Sequence, residues 1–429
     1  MHRYGKVLVL GRGRSGRAAE ALLRSEGAVV QTVCQEQTPD FCCKDLDFEP
    51  EVAVVSPGFA MDHPWVLDLV DRGISLLSEL ELGWSRRHCP MIAVTGSNGK
   101  SSVVKWLADA LTLAGHRAVP CGNYGFPVSA AVMLPNVPDW LVAEVSSFQL
   151  ETVHDFHPHV GVLLNVLPNH LDRHGDMETY RDMKLRLFAR MHDAGTAVVP
   201  FGLFQTLEET ATEVQPPSEI WKTFGLEEGA DYRFEAGRVG SFDLRGTYFD
   251  NEVLGSAAAA VVAVWETCGL PREVLEESAR CFEPLPHRMQ DVAELEGVRF
   301  VDDSKATNLA AMCAALRMSR GRVHLIAGGR AKESDWSFAK DLLAQRVSRL
   351  YLIGEACDAM RAAWKDDTDC VACGTLERAV AAAREAAEPG DTVLLSPACT
   401  SFDQFGSFAE RGEAFVREVT RSAGCGAQT

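Results

Sequence analysis

The chain has 429 residues, more than the about 250 to 300 at which single hydrophobic cores stop growing, so two or three domains are expected. Hydrophobic residues make up 46% and charged residues 24%, as in chains that fold throughout. The net charge is -18 and no run of lysine or arginine is present, which argues against a nucleic-acid partner. The apolar run at residues 7–10 is too short for a signal peptide or membrane span, and 13 scattered cysteines fit reduced thiols, which predicts a cytoplasmic protein.

Short runs of valine, isoleucine and leucine alternate with longer helix-like segments throughout the chain. This alternation is typical of parallel sheets whose strands are connected by helices, and it predicts an α/β fold. The predicted strands form three clusters, at residues 6–10, 28–33, 52–55 and 74–77, at residues 91–95, 140–145, 160–166 and 196–200, and at residues 298–301, 323–327, 350–353 and 392–395. We therefore expect three domains, comprising residues 1–89, 90–285 and 286–429.

A glycine-rich turn, GRGRSG at residues 11–16, joins the first predicted strand to a helix. The same spacing occurs in dinucleotide-binding folds, where an acidic residue about 20 positions later binds the ribose of NAD. Here the second strand is followed by Cys34 and Gln35, and Glu36 stands one position late. We interpret the turn as a helix amino terminus that holds a pyrophosphate or another anion; a nicotinamide-dependent oxidoreductase is the alternative.

The second cluster opens with a strand at residues 91–95 that runs into a glycine-rich loop and then a helix. The loop consists of Gly96, Ser97, Asn98, Gly99, Lys100, Ser101 and Ser102. In this context the backbone N–H groups at the helix start bind phosphates, Lys100 neutralises them, and the Ser101 hydroxyl reaches a magnesium ion. The usual first glycine would fall at Val94, so the loop has the shorter GxxGKS form. It predicts nucleotide binding.

Three further residues of the second cluster are candidates for polar chemistry. Glu144 lies within an apolar strand and needs a partner, which magnesium beside nucleotide phosphates would supply; capping of the next turn is the alternative. His170 follows the strand at residues 160–166, at the edge where α/β sheets bind ligands, and is a candidate metal ligand or proton carrier, or else structural. Lys184 lies in a helix-like segment that by itself indicates a surface lysine.

The third cluster contains a polar segment, DDSKATN at residues 302–308, directly after a strand. Its mixture of acidic, basic and hydroxyl groups favours a binding site, although a turn capped by aspartate and serine has the same composition. Residues 328–332 and 396–401 end later strands and are therefore expected on the same edge of the sheet as Lys305. Lys305 and Lys332 offer positive charge to a carboxylate substrate.

Taken in this order, the segments resemble the Mur ligases of bacterial cell-wall synthesis over nearly the whole chain. The general family features are the phosphate loop, residues 122–125 (GNYG), Glu144, residues 165–173 and Lys184. The features of members that add D-glutamate are residues 286–288 (PHR), 302–308 and 396–412. The resemblance implies an amino-terminal UDP-sugar domain, a central P-loop ATPase-like parallel sheet that binds ATP, and a carboxyl-terminal amino-acid domain, the two outer domains being Rossmann-like.

The resemblance also implies a role for each matching residue. The implied catalytic residues are Lys100, Glu144, His170 and Lys184. Magnesium would be bound by Ser101, Glu144, His170 and Lys184, the last as a carbamylated lysine. ATP would be bound by the phosphate loop with Arg288 and Asp303, and the UDP-sugar by Ser15, Asn123, Ser146 and Gln149. D-Glutamate would be bound by Lys305, Thr307, Lys332, Ser401 and Phe408.

The activity implied by the resemblance is an ATP-dependent ligation in cytoplasmic peptidoglycan-precursor synthesis. The terminal phosphoryl group of ATP passes to the alanyl carboxylate of UDP-N-acetylmuramoyl-L-alanine, and the amine of D-glutamate attacks the acyl phosphate. ADP and phosphate are released. The implied partners are these small molecules, with ATP and Mg²⁺ as cofactors, and we expect a monomer that binds neither nucleic acid nor a membrane.

Two stretches depart from the family pattern. Members usually carry His-Asn-x-x-Asn before the alanine-rich helix of the central domain, where it contacts adenine, whereas this chain has DNEVLGSA at residues 250–257. Cys34 and Gln35 stand where the family often has an acidic residue near uridine. The alternatives are another ligase of the same fold, such as folylpolyglutamate synthase, which residues 302–308 argue against, and a non-catalytic nucleotide-binding regulator, which the retained catalytic side chains disfavour.

Overall fold

A computed structural model describes residues 4–37, 41, 43–191, 195–209, 220–332 and 335–424. The chain divides into two compact units, the first comprising Met1–Val166 and Arg173–Phe282 and the second comprising Leu167–Asp172 and Glu283–Thr429. Each predicted strand cluster forms its own sheet, and the first two sheets lie in the first unit. The predicted α/β class is therefore confirmed, whereas the three domain boundaries stay a prediction. None of the helices in the described residues has the length and apolarity to span a bilayer.

The first sheet is wholly parallel and has the strand order β2-β1-β3-β4. Its strands are β1 (Lys6–Leu10), β2 (Val29–Val33), β3 (Val52–Val55) and β4 (Ser75–Ser78). Its helices are α1 (Arg14–Ser25), α2 (Pro64–Asp71) and α3 (Glu79–Trp84), with a 3-10 turn at Cys43–Asp45. The strands are rich in branched apolar residues because both faces of the sheet are covered, and buried clusters lie on either side of it.

The central sheet has the order β13-β12-β11-β10-β9-β8-β5-β7-β6 within the described residues. Its strands are β5 (Met91–Thr95), β6 (Ala118–Gly122), β7 (Trp140–Glu144), β8 (Val160–Leu163), β9 (Thr196–Pro200), β10 (Trp221–Gly225), β11 (Tyr232–Glu235), β12 (Arg238–Val239) and β13 (Phe242–Asp243). The helices along this part of the chain are α4 (Lys100–Leu113), α5 (Val128–Ala131), α6 (Ser147–Leu150), α7 (Leu171–His174), α8 (Met177–Leu185), α9 (Phe201–Glu209), α10 (Glu252–Thr267) and α11 (Arg272–Arg280). Strands β6 to β11 pair in parallel, so their carboxyl ends share one edge.

The third sheet has the order β14-β15-β19-β16-β17-β18, and all of its pairs except β14–β15 are parallel. Its strands are β14 (Gln290–Leu295), β15 (Val298–Asp302), β16 (Val323–Gly328), β17 (Val347–Ile353), β18 (Cys370–Gly374) and β19 (Thr392–Leu395). Its helices are α12 (Leu309–Met318), α13 (Lys340–Arg346), α14 (Cys357–Trp364), α15 (Leu376–Ala386) and α16 (Phe408–Gly424), with a 3-10 turn at Ser337–Ala339.

Helix α4, which follows the phosphate loop, is anchored by Trp106. This side chain is fully buried, stacks on Phe249 with ring centroids 3.8 Å apart, and donates from Nε1 to Ser278 Oγ at 2.8 Å. Removing a buried aromatic side chain of this kind costs about 3 to 5 kcal/mol. The start of α4, and with it the loop, is therefore fixed by the core of the first unit.

Several strands differ from the sequence-based prediction. Strands β6, β10 to β14 and β18 were not predicted, because they contain proline, glycine, cysteine or polar residues in place of an apolar run. Strand β8 ends at Leu163, so His170 does not directly follow a strand. Helix α10 begins at Glu252 because Asn251 caps it, accepting from the backbone N–H of Leu254 at 3.0 Å.

Candidate functional site

The phosphate loop joins β5 to α4 and depends on two glycines with positive φ. Gly96 has φ 148° and Gly99, the residue that caps α4, has φ 87°. Side chains other than glycine rarely adopt this backbone conformation. The turn leaves the first N–H groups of α4 without helical acceptors, and such groups form an anion-binding site.

Two lysine amines converge on the carbonyl oxygen of Gly96. Lys100 Nζ donates to it at 2.7 Å and to the carbonyl of Ser97 at 3.0 Å, while Lys184 Nζ donates to it at 3.0 Å. The side chain of Lys100 thus folds back over its own loop. The positive charge of Lys100 therefore lies where the loop would receive phosphates.

Lys184 is almost completely buried, with 1% of its surface exposed. Its Nζ lies 4.4 Å from the ring centroid of Tyr180, which precedes it by one turn on α8. Burial, and then the positive charge of Lys100, hold the pKa of Lys184 well below the usual range, which favours the uncharged amine. The surface-lysine interpretation is therefore wrong, because the interleaved apolar and basic residues of α8 did not show which face turns inward.

Glu144 ends β7, is 3% exposed, and accepts hydrogen bonds at both carboxylate oxygens. Ser101 Oγ donates to Oε2 and Asn123 Nδ2 donates to Oε1, each at 2.6 Å. The turn after β7 is capped by Ser146 and Gln149, which form a capping box. The alternative in which Glu144 caps that turn is therefore wrong.

Asn165 supports the phosphate loop and was not singled out from the sequence. Its Oδ1 accepts from the backbone N–H groups of Ser97 at 3.0 Å and Asn98 at 2.9 Å, and its Nδ2 donates to the carbonyl of Asn98 at 3.1 Å. The backbone of Ser97 also donates to the carbonyl of Asn165 at 3.0 Å. One amide side chain therefore holds the loop in shape. The only signal in the sequence was its place at the start of residues 165–173.

The residues predicted to bind the UDP-sugar lie on different elements of the first unit. Ser15 is half-buried in the first turn of α1, and Ser146 and Gln149 are engaged with each other at the start of α6. The Arg14 guanidinium donates to the carbonyl of Gly125 at 2.6 Å, which connects the turn at residues 11–16 to the loop that carries Asn123. Among the residues predicted to bind the UDP-sugar, the capping box is thus the one pair joined directly by a hydrogen bond in the described structure.

The edge of the first sheet carries a pair that was not predicted. Gln35 Nε2 lies 2.7 Å from His63 Nε2. Gln35 follows β2, and His63 precedes α2. A neutral amide and an imidazole therefore meet where relatives of the suggested family often carry an acidic residue.

In the second unit, Asp302 ends β15, Asp303 follows it, and the two are buried in different environments. Asp302 Oδ2 lies 2.7 Å from His287 Nδ1, and Asp302 Oδ1 accepts from the backbone N–H of Ser304 at 2.9 Å. Asp303 accepts from Ser396 Oγ at 2.8 Å and from the backbone of Met289 at 3.2 Å. Burial raises the pKa of Asp303 to about 7. The turn is therefore capped by Asp302, as the alternative proposed, while Asp303 reaches across to other loops.

Arg288 lies between two residues with left-handed backbone conformations. His287 has φ 60° and Met289 has φ 45°. Such conformations are costly for residues with a side chain and concentrate at functional sites. The positive charge of Arg288 offsets part of the rise in the pKa of Asp303 that burial causes. The two residues predicted to contact the nucleotide in this unit therefore lie together.

Four of the residues predicted to bind the amino acid follow parallel strands of the third sheet, and the fifth begins α16. Lys305 Nζ lies 3.9 Å from the centroid of the Phe408 ring, and Ser401 is buried. Thr307 is half-buried, and Lys332 is exposed. The expectation that Lys305, residues 328–332 and residues 396–401 share one edge is confirmed, because β15, β16 and β19 are parallel neighbours.

His170 lies in the segment Leu167–Asp172 of the second unit. Its φ is 57°, an uncommon conformation for a residue other than glycine. Its assignment as a metal ligand stays a prediction.

The donor set beside the phosphate loop suits magnesium. Ser101 Oγ and the Glu144 carboxylate are buried oxygen groups in mutual contact, and magnesium prefers oxygen ligands. Within the described residues no group of three or more histidine, cysteine, aspartate or glutamate side chains could hold a metal ion. This is compatible with magnesium, which is commonly held by one or two carboxylates together with substrate phosphates and water.

Comparisons with known proteins match residues in each of the two units. The Mur ligase middle domain model matches residues 94–252, and the Mur ligase glutamate ligase domain model matches residues 287–399. The UDP-N-acetylmuramoylalanine–D-glutamate ligase of Acidobacterium capsulatum is 34% identical, with 98% of this chain and 97% of that protein covered. The enzyme of the same name from Desulfotalea psychrophila is 37% identical, with 86% and 82% covered.

Solved structures show the same fold at lower sequence identity. The MurF ligase of Thermotoga maritima in complex with ADP has a TM-score of 0.61 at 17% identity, covering 98% of this chain and 96% of its own. A bifunctional folylpolyglutamate synthase/dihydrofolate synthase with Mn, AMPPNP and L-glutamate bound has a TM-score of 0.54 at 18% identity, covering 78% and 90%. The two matching domain models and the identity and coverage of the relatives show that the chain belongs to the Mur ligase family.

Proposed function

We propose that the chain is an ATP-dependent ligase that joins D-glutamate to UDP-N-acetylmuramoyl-L-alanine through an acyl phosphate, in the synthesis of peptidoglycan precursors. The relatives with this name align over almost the whole chain. Both substrates are small molecules, and we assign the reaction to the cytoplasm, where ATP and reduced thiols are present.

The buried amine of Lys184 supports this proposal most directly. A protein that only binds a nucleotide needs the loop and Lys100 but has no use for a second, buried lysine on the same carbonyl oxygen. Burying an amine without a carboxylate partner is costly, so its position calls for a chemical reason. This observation favours the ligase over the regulator.

A carbamate on Lys184 provides that reason. The uncharged amine adds to carbon dioxide, forming an N–C bond and releasing one proton, and the product is a carboxylate in place of an amine. The lowered pKa of Lys184 favours the amine form that reacts. With Ser101 and Glu144, the carbamate would then complete an oxygen-rich set of magnesium ligands. His170 is proposed as a further magnesium ligand.

Phosphoryl transfer to the alanyl carboxylate requires that two anionic groups approach each other. The backbone N–H groups of the loop and Lys100 bind the phosphates and offset this repulsion. A magnesium ion bound there would add positive charge against the phosphate oxygens. Glu144 holds the Ser101 hydroxyl of the loop in place, and Asn123 in turn holds Glu144, since each carboxylate oxygen of Glu144 accepts one of these hydrogen bonds. Ser15, Asn123, Ser146 and Gln149 are proposed to contact the UDP-sugar.

The amine of D-glutamate then attacks the acyl phosphate and expels phosphate. We propose that Lys305, Thr307, Lys332, Ser401 and Phe408 hold D-glutamate, with Lys305 placed for a carboxylate by its contact with Phe408. Arg288 and Asp303 are proposed to contact the nucleotide. The adenine contacts differ from the usual pattern, since Asn251 is used to cap α10 and Phe249 is buried in the core.

Phosphate release from ATP in the presence of UDP-N-acetylmuramoyl-L-alanine tests the proposal. Release is expected with D-glutamate and not with L-glutamate, glycine or L-lysine. Release that is independent of the amino acid would contradict the proposed acceptor. If L-glutamate were used with a folate in place of the UDP-sugar, the related folylpolyglutamate activity would be indicated instead.

A further inference from the structure

Arg411 is a buried cation in the second unit to which the proposed reaction gives no role. It lies in the first turn of α16 and is 1% exposed. Arginine is rarely buried to this extent without a paired carboxylate. Within the described residues, no carboxylate lies at ion-pair distance from its guanidinium group.

The guanidinium group of Arg411 connects three loops. Its Nε donates to Ser304 Oγ at 3.0 Å, and one of its amino groups, Nη2, donates to the carbonyls of Ser304 at 2.8 Å and Cys399 at 3.1 Å. The other, Nη1, lies 3.5 Å from the carbonyl of Gly328. Ser304 and Cys399 follow β15 and β19, and Gly328 is the last residue of β16, so one side chain joins the ends of three adjacent strands.

Each of these loops carries a residue proposed to bind the amino acid. Ser304 precedes Lys305, and Ser304 Oγ donates to the carbonyl of Phe408 at 2.8 Å. Cys399 precedes the buried Ser401 by two positions. Two hydrogen bonds therefore connect Arg411 to the carbonyl of Phe408, and Arg411 also holds the backbone one position before Lys305 and two positions before Ser401.

The charge of Arg411 persists at neutral pH. Burial lowers its pKa, but only to about 10. The carboxylates of Asp302 and Asp403 act on it from a distance, and Asp302 is already engaged with His287. The end of this sheet thus holds a positive charge that no carboxylate of the described residues pairs with. Burial places it in a region of low dielectric constant, where a charge acts over a longer range.

We propose that Arg411 is the positioning residue for the incoming anionic amino acid: its planar group holds the strand-end loops that bind the amino acid, and its charge favours a dicarboxylate over a neutral amino acid. The inference rests on the proposed function, because it assumes that this edge of the sheet receives D-glutamate. Arg411 itself is too enclosed by carbonyl groups to act as a substrate ligand.

Steady-state kinetics of Arg411→Lys and Arg411→Met test this role. Lysine keeps the charge but lacks the planar fork, so the KM for D-glutamate should rise about 10-fold while the KM values for ATP and the UDP-sugar stay within about 2-fold. Methionine removes both, and the KM for D-glutamate should rise about 100-fold. At saturating D-glutamate, kcat of the lysine variant should stay within about 3-fold of the wild type, because Arg411 touches no reacting atom.

Arg322→Lys is the matched control. Arg322 directly precedes β16, at the end of the strands opposite to the one that Arg411 joins, and it pairs with Glu388 and Asp391. Its replacement should leave all three KM values unchanged. Thermal unfolding of each variant shows whether it is folded, and the lysine variant decides the test if the methionine variant does not fold.

Two results separate the inference from the proposed function. An unchanged KM for D-glutamate in folded Arg411→Lys, or an equal rise in all three KM values, would overturn the positioning role alone. Wild-type protein that releases no phosphate in response to D-glutamate would overturn the proposed function, and the inference with it.

Discussion

The phosphate loop of the first unit and the strand-end loops of the second unit hold their polar side chains in different ways. At the phosphate loop, two lysines meet on one carbonyl oxygen, while Asn165 and Glu144 fix the surrounding backbone and hydroxyl groups. In the second unit, Arg411 holds three loops through carbonyl and hydroxyl groups. The first arrangement places the positive charge of Lys100 where an anion would bind, whereas the second uses a buried cation as a structural connector.

This difference reflects the ligands that each site is proposed to receive. Triphosphate charge is large and concentrated, so exposed N–H groups and amines suffice to attract it. An amino acid is small, and its recognition depends on the exact spacing of several loops. We therefore expect ligand binding to depend mainly on charge at the first site and mainly on the geometry of the loops at the second.

The largest effect is expected from Lys100→Ala. Phosphate release should fall by about 10³-fold or more, because the lysine neutralises the phosphates during transfer. The thermal unfolding midpoint should change little, since the hydrogen bonds of Lys100 to Gly96 and Ser97 stay within its own loop. Lys105→Ala, on the same helix but paired with Asp109, is the control and should keep its activity. A modest loss in Lys100→Ala would show that charge does not dominate this site.

Lys184→Ala should lose about 10²-fold or more of the activity, and acetate or formate should restore part of it. The reason is that a free carboxylate can replace that of the proposed carbamate within the space left by the side chain. Arg181→Ala on the same helix α8, where the side chain pairs with Asp182, is the matched control. If full activity remained without Lys184, or if no carboxylate gave any rescue, the carbamate proposal would be abandoned.

Asn165→Ala should raise the KM for ATP about 10-fold, because the loop loses three hydrogen bonds that hold its shape. The KM for D-glutamate should stay the same, since Asn165 belongs to the first unit. The complementary experiment is Arg411→Lys, which should raise only the KM for D-glutamate. Equal effects of both variants on both substrates would remove the distinction between the two sites.

The smallest effect on activity is expected from Glu79→Gln, which tests a buried carboxylate that belongs to none of the proposed binding sites. Glu79 accepts from the backbone N–H of Ser129 at 2.6 Å, and burial raises its pKa from 4.5 to about 7. A raised pKa means that its contribution to stability is full below about pH 4.5 and is lost as pH rises through about 7. The free energy of unfolding of the wild type, measured with urea, should therefore be about 3 kcal/mol lower at pH 8 than at pH 5. Glu79→Gln should remove this difference. An identical pH dependence in both proteins would exclude Glu79 as its source.

The phosphate loop and the sheets were predictable because their signals are local. The glycines at 96 and 99 and the lysine at 100 lie within a few positions, and their spacing fixes the turn whatever surrounds it. The buried parallel strands are continuous apolar runs, which the sequence shows directly. Strands such as β6 and β18 were missed because proline, glycine or cysteine interrupt the run and only sheet pairing makes them strands.

Sequence by itself determined the α/β class, the phosphate loop, the order of the motifs and, through their resemblance, the family. Only the tertiary structure decided that Lys184 is buried, that Asn165 supports the loop, and that Arg411 joins three strand ends. The physical reason is sequence separation: Ser304 and Arg411 meet only because parallel strands carry their ends to one edge, and the burial of Lys184 depends on which face of α8 packs inward. The spacing of nearby residues predicts a turn, whereas the packing of distant segments determines what a charged side chain contacts.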